Sequence, residues 1–85
     1  FIIYFKDESE QYQAEVKAFD LEGHTVYDVY YSITPFVHPS RRVQVYKGVG
    51  NGISYWRQRI TDKDEDLLPT DFIEDIGFAI EQTQL

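Results

Sequence analysis

The chain has 85 residues, 42% of them hydrophobic, a formal net charge of −7 and no cysteine. That length holds one domain, residues 1–85, and the apolar share is too high for a disordered acidic tail. The lack of cysteine removes disulfides, thiol chemistry and cysteine-ligated zinc, and the acidic balance works against non-specific binding of the whole molecule to nucleic acid or anionic membrane. A cytoplasmic location suits this composition. No apolar stretch approaches the roughly 20 residues of a membrane span. Residues 1–5 are too short for a signal core and run straight into Lys6-Asp7-Glu8.

Residues 1–5 read as a first strand, joined to the next through a polar loop over residues 6–11. Residues 12–19 and 26–33 form a hairpin. Glu22-Gly23 supplies a two-residue turn in which glycine tolerates positive φ, so paired residue numbers sum to 45. One face then carries Tyr12, Ala14, Val16 and Ala18 with Tyr27, Val29, Tyr31 and Ile33, and Lys17 falls opposite Asp28 on the other. Apolar residues collecting on one side are the mark of a half-buried antiparallel pair. Pro35 and Pro39 break the chain, with His38 between them.

Residues 42–49 and 53–60 form a second hairpin. An Asn51-Gly52 turn pairs numbers summing to 103, and a Gly50-Asn51 turn would give 101. Either choice puts Val43, Val45, Trp56 and Ile60 on one face and Arg42, Gln44, Tyr46, Tyr55, Arg57 and Arg59 on the other.

The C-terminal segment is helical, capped by Thr70 or Asp71 after Pro69, with Glu74 at capping-box spacing from Asp71. Phe72, Ile73, Ile76, Ala79, Ile80 and Thr83 fall in an apolar stripe about 120° wide. Gly77 lies near its edge, where it costs about 1 kcal/mol relative to alanine, and its return is close approach to the sheet. Ala14 and Ala18 leave room for the helix. The expected fold is α+β: a five-stranded antiparallel meander, two hairpins plus an N-terminal strand, with one C-terminal amphipathic helix packed on one face.

Charge is segregated along these elements. Residues 1–34 hold two lysines against seven acids, residues 35–60 hold five cations and no acid, and residues 61–85 hold Lys63 against eight acids. A basic aromatic hairpin therefore lies between two acidic segments.

Familiar chemical motifs fail in detail. The glycine-rich 48–53 segment has isoleucine at position 53, where a dinucleotide fingerprint needs glycine, and a strand where it needs a helix. The Asp62-Lys63-Asp64-Glu65-Asp66 run lacks the glycine and the bidentate acid of a calcium loop, positions filled by Leu67 and Ile73. His24 and His38 have no partners at zinc spacing. No metal, cofactor or catalytic residue is therefore assigned, and the chain is read as non-enzymatic.

Two surfaces remain. The acidic helix and its preceding loop offer Asp64, Glu65, Asp66, Asp71, Glu74, Asp75, Phe78 and Glu81 to a basic surface of a partner protein. Phe78 projects away from the apolar stripe, among acids. The expected function is a small acidic protein-binding module, including the inhibitor type found in phage and toxin–immunity systems, a compositional association without a motif behind it. The alternative is nucleotide or single-stranded nucleic-acid binding on Arg42, Tyr46, Tyr55, Arg57 and Arg59, since tyrosine and arginine on a sheet can stack bases and hold phosphates. Internal pairing of those arginines with neighbouring acids competes with both. A meander also leaves edges, at residues 1–5 and 53–60, and the first could pair with a second copy to give a homodimer.

Overall fold

The computed structural model describes residues 1–34 and 41–84. Pro35, His38 and Pro39, read above as the break between hairpins, lie outside the described residues. Five strands, β1 (Ile2–Asp7), β2 (Glu10–Leu21), β3 (His24–Ile33), β4 (Arg41–Gly50) and β5 (Ile53–Arg59), form one sheet in chain order, and α1 (Thr70–Gln84) follows. All neighbouring strands are antiparallel. This is the expected α+β meander with its C-terminal helix.

Turn chemistry sets the registers. Leu21 pairs with His24 and Tyr12 with Ile33, the sum of 45 that Glu22-Gly23 demands, and Lys17 lies opposite Asp28. Gln44 pairs with Arg59 and Gly50 with Ile53, which selects the Asn51-Gly52 turn and the sum of 103. Both turns have positive φ at both central residues, 51° and 84° in the first and 53° and 78° in the second, as a type I′ turn requires. The expected loop over residues 6–11 is much shorter. Asp7 pairs with Glu10, leaving only Glu8 and Ser9 to turn, with Glu8 at φ 54°.

Alternation then sorts the side chains. Ile3, Phe5, Ala14, Val16, Val29, Tyr31, Val43 and Val45 are buried on the helix-facing side, together with Phe72, Ile73, Ile76, Ala79 and Ile80 of α1. Each large aliphatic or aromatic member contributes about 1.5–3 kcal/mol by leaving water, which makes this core the dominant stabilising term. The backbone of α1 comes closest to β1, β5 and β4. One helix can touch the first and last strands of a five-stranded sheet only if the sheet curls around it. At the N-terminal end of α1, the Phe72 ring stands edge-on to Phe5, Tyr12 and Tyr31 at 5.4, 5.2 and 5.2 Å. Phe5 and Tyr12 stack at 5.0 Å.

Three local expectations change. The carbonyl of Pro69 accepts from the N–H groups of Phe72 and Ile73, so Pro69 holds the cap position, the helix begins at Thr70, and neither Thr70 nor Asp71 is the cap. Ala18 keeps the expected face but is exposed. Ile60 lies beyond the end of β5 and is 41% exposed.

Gly77 meets the sheet at Trp56. A Cβ there would fall inside the indole ring's van der Waals envelope, against Cγ, Cδ2 and Cδ1. Gly77→Ala should therefore destabilise the fold by about 1–3 kcal/mol through overpacking, despite alanine's better helix propensity. Urea denaturation decides: a midpoint equal to or above that of the parent would show that the indole yields without cost.

Candidate functional site

The acidic helix and loop divide into residues used internally and residues left outward. Glu81 is used internally. Its Oε1 accepts from Trp56 Nε1 at 2.9 Å and pairs with Lys47 Nζ at 2.6 Å. Lys47 and Trp56 are register partners on β4 and β5, so the hairpin delivers both donors to one carboxylate. Lys47 first, then the indole, hold the Glu81 carboxyl below its ordinary value.

Glu65 is also used internally. It accepts from the Thr61 N–H at 3.1 Å, from Thr61 Oγ1 at 2.8 Å and from Gln58 Nε2 at 3.0 Å. The Thr61 backbone bond leads in lowering its pKa. The Gln58 carboxamide also donates to the Asp66 carbonyl and accepts from the Leu68 N–H, at 3.0 and 2.8 Å. One amide side chain thus imitates a strand's hydrogen-bonding edge and fixes the loop that feeds α1. This role was not legible from a glutamine on an apolar face.

Asp75 is half-buried on α1 and meets Asp7 at the end of β1. Burial raises its pKa first, followed by the hydrogen bond to Asp7 and then the charges of Asp7, Asp71 and Glu74. Asp64, Asp66, Asp71 and Glu74 are exposed. Phe78 is 62% exposed on the outward side of α1, where the helical wheel placed it. The structure therefore brings Asp71, Glu74, Asp75 and Phe78 together as an acidic ridge with one aromatic, and withdraws Glu65 and Glu81 into the fold.

The Tyr/Arg set shares one face of the sheet, as the parity of the hairpin requires, but much of it is engaged. Arg42 pairs with Asp28 at 2.8 Å. Gln44, only 5% exposed, donates to the same Asp28 oxygen at 2.8 Å and accepts from Arg59 at 2.8 Å. Asp28, on β3, is the acid that draws the basic hairpin inward. Tyr55 lies against Gly48 and Gly50, where an added Cβ would approach its ring to 2.8 and 3.2 Å. The Arg57 guanidinium sits 4.5 Å from the centroid of that ring. Tyr46 is half-buried opposite Val26.

A separate cleft of about 570 Å³ is lined by Asp7, Tyr12, Tyr31, Arg41, Leu68 and Phe72, among others. Burial raises the pKa of both tyrosines, while Arg41 opposes the rise. Ile33 and Arg41 in its wall lead directly into the segment outside the description, so no site is assigned there.

The two kinds of carboxylate should respond oppositely to acid. Glu81 has a lowered folded pKa, so its contribution is present above its ordinary 4.5 and is lost as pH falls through the folded value. Asp75 has a raised folded pKa, so its contribution is present below its ordinary 3.8 and is lost as pH rises through the folded value. Glu81→Gln should therefore destabilise at neutral pH and converge on the parent in acid. Asp75→Asn should stabilise at neutral pH and lose that advantage in acid. Urea midpoints across the acid range test both, and parallel pH profiles for the two variants would contradict the assignment. No protein-family model, no curated protein and no solved structure matches this chain.

Proposed function

We propose that this chain is a non-enzymatic binding module that docks on a basic surface of another protein through the outward ridge of α1. The observation that carries this reading is the unequal use of charge. Arg42, Lys47 and Arg59 are drawn into bonds within the sheet or to α1, while Asp71 and Glu74 stand exposed beside Phe78, without an ion pair among the described residues. An exposed aromatic with an acidic surround offers a central anchor and a charged rim. Long-range attraction would speed encounter with a basic partner and weaken as salt rises. An inhibitor that masks a basic groove of its target would use such a ridge directly.

The engagement of Arg42, Arg59 and Tyr55 favours this reading over nucleotide or single-strand binding. No helix among the described residues is long and apolar enough to cross a membrane. The test is capture of a partner from native-host lysate, followed by binding of purified variants. The double reversal Asp71→Lys, Glu74→Lys should slow association about tenfold at low salt. Phe78→Ala should raise Kd about thirtyfold, the effect of losing a hot spot worth about 2 kcal/mol. Arg57→Ala should bind as the parent does. The reverse pattern, or Trp56 fluorescence quenched by short oligonucleotides, would transfer the site to the Tyr/Arg face.

A further inference from the structure

The open edge of β1 runs beside the same helix. Phe1 and Val16 exchange both backbone bonds, the Phe1 amino group to the Val16 carbonyl at 2.9 Å and the Val16 N–H to the Phe1 carbonyl at 2.7 Å. Bonded and non-bonded pairs alternate along an antiparallel ladder. The backbone groups of Ile3 and Phe5 therefore turn toward β2 like those of Phe1, and those of Ile2, Tyr4 and Lys6 turn outward. No proline or bulge interrupts β1, and Lys6 is its one protective cation.

A groove of about 450 Å³ follows this edge, with α1 as its far wall. Ile2 (43% exposed), Tyr4 (63%), Lys6 and Phe78 line it, and Asp75, Gln82 and Thr83 supply its polar groups on the helix side. A row of outward N–H and C=O groups beside apolar side chains is the arrangement that accepts an added strand.

Charge identifies the occupant. Asp75 faces Asp7, and Asp71 and Glu74 add like charge to the same place. Among the described residues, no ion pair reaches this cluster; the two that form join Arg42 to Asp28 and Lys47 to Glu81. A lysine or arginine arriving in the groove would discharge it. A second copy of this chain would do the opposite. Antiparallel β1–β1 pairing about a two-fold axis places both helices on the same side of the joined sheet, with their acids facing across the groove.

We propose that β1 accepts an extended basic segment of a partner protein as a sixth strand, with apolar side chains against Ile2, Tyr4 and Phe78 and a cation at Asp7 and Asp75. This rests on the reading of α1 as a docking ridge for a basic partner, and adds the backbone of β1 to it.

The probe is an acetylated and amidated seven-residue peptide of alternating lysine and valine, added to the 85-residue chain and followed by NMR and amide hydrogen exchange. Exchange at Ile2, Tyr4 and Lys6 should slow about tenfold at saturation. The same peptide N-methylated at alternate backbone positions should lose this effect, and Asp75→Asn should weaken binding about threefold. Peptide-induced shifts at Glu74 and Phe78 without slowing at the three β1 amides would overturn strand addition and leave the ridge reading standing. Slowing that survives in the Asp71→Lys, Glu74→Lys variant would separate the edge from the ridge in the other direction and support strand addition. Equal binding of the N-methylated peptide, or no perturbation at millimolar peptide, overturns strand addition. Protection of the same amides in the chain alone, fading on dilution, would assign the edge to a second copy and also overturn it.

Discussion

The contact between Trp56 and Gly77 sets how closely α1 can approach the β5 side of the sheet. A five-stranded meander has two edges, and α1 has to reach both of them for the curled sheet to close on a core. On the β5 side the approach is set by the indole lying where a helical Cβ would otherwise be. The rest follows from that choice. A half-buried indole needs an acceptor for its N–H, and Glu81, one turn beyond Gly77, supplies it. A carboxylate drawn toward the sheet needs a cation, and Lys47, opposite Trp56 in the ladder, supplies that. Removing any one of these residues leaves the next with an unmet requirement.

Magnitudes separate what holds the fold from what orders its surface. Ion pairs as exposed as Arg42–Asp28 and Lys47–Glu81 contribute about 0–1 kcal/mol each, less than a single buried isoleucine or phenylalanine of the core. The Arg42–Asp28 pair therefore does little for global stability, whereas the buried Gln44 amide depends on Asp28 and Arg59 for its hydrogen bonds. The Asp28–Gln44–Arg59 network fixes where Arg42 and Arg59 point. Among the described residues Lys47 alone of the β4 and β5 cations forms an ion pair with α1, at Glu81, so Asp71, Glu74 and Asp75 are not neutralised from that side and the segregation of charge along the chain survives in part as a segregation of surface.

What was legible in the sequence follows from how local each signal is. Glu22-Gly23 dictates its pairing sum, the glycine-rich second turn leaves two sums of the same parity, and side-chain parity then assigns almost every face of the sheet, including Trp56 toward the core, while the helical wheel turns Phe78 away from it. The full length of β1 was hidden because an edge strand with one wet face needs only Ile3 and Phe5 as apolar alternates, and Lys6-Asp7 looks like loop. Glu65 and Glu81 were read as surface acids for a related reason. A helical wheel shows which way a residue points from its own axis and carries no information about Trp56, Lys47, Thr61 or Gln58 arriving from other elements. Gln58 was invisible because its function depends on two backbone groups eight and ten residues away, which only the folded loop brings to it.

The Asp7–Asp75 contact stands apart from this economy. Every other partly buried carboxylate described here, Asp28, Glu65 and Glu81, has a donor or cation supplied by the chain. Asp75 is offered another acid, with two more nearby, and burial first, then these neighbours, raise its pKa. A sequence selected for stability alone would replace one of the pair by asparagine, a change that keeps the hydrogen bond and removes the repulsion. Local violations of otherwise consistent design concentrate where a surface has work beyond folding. Here the violation sits where the outward ridge of α1 meets the unpaired edge of β1, so a single incoming cation would relieve a cost already present in the unbound chain, and that relief would add to the affinity of whatever brings it.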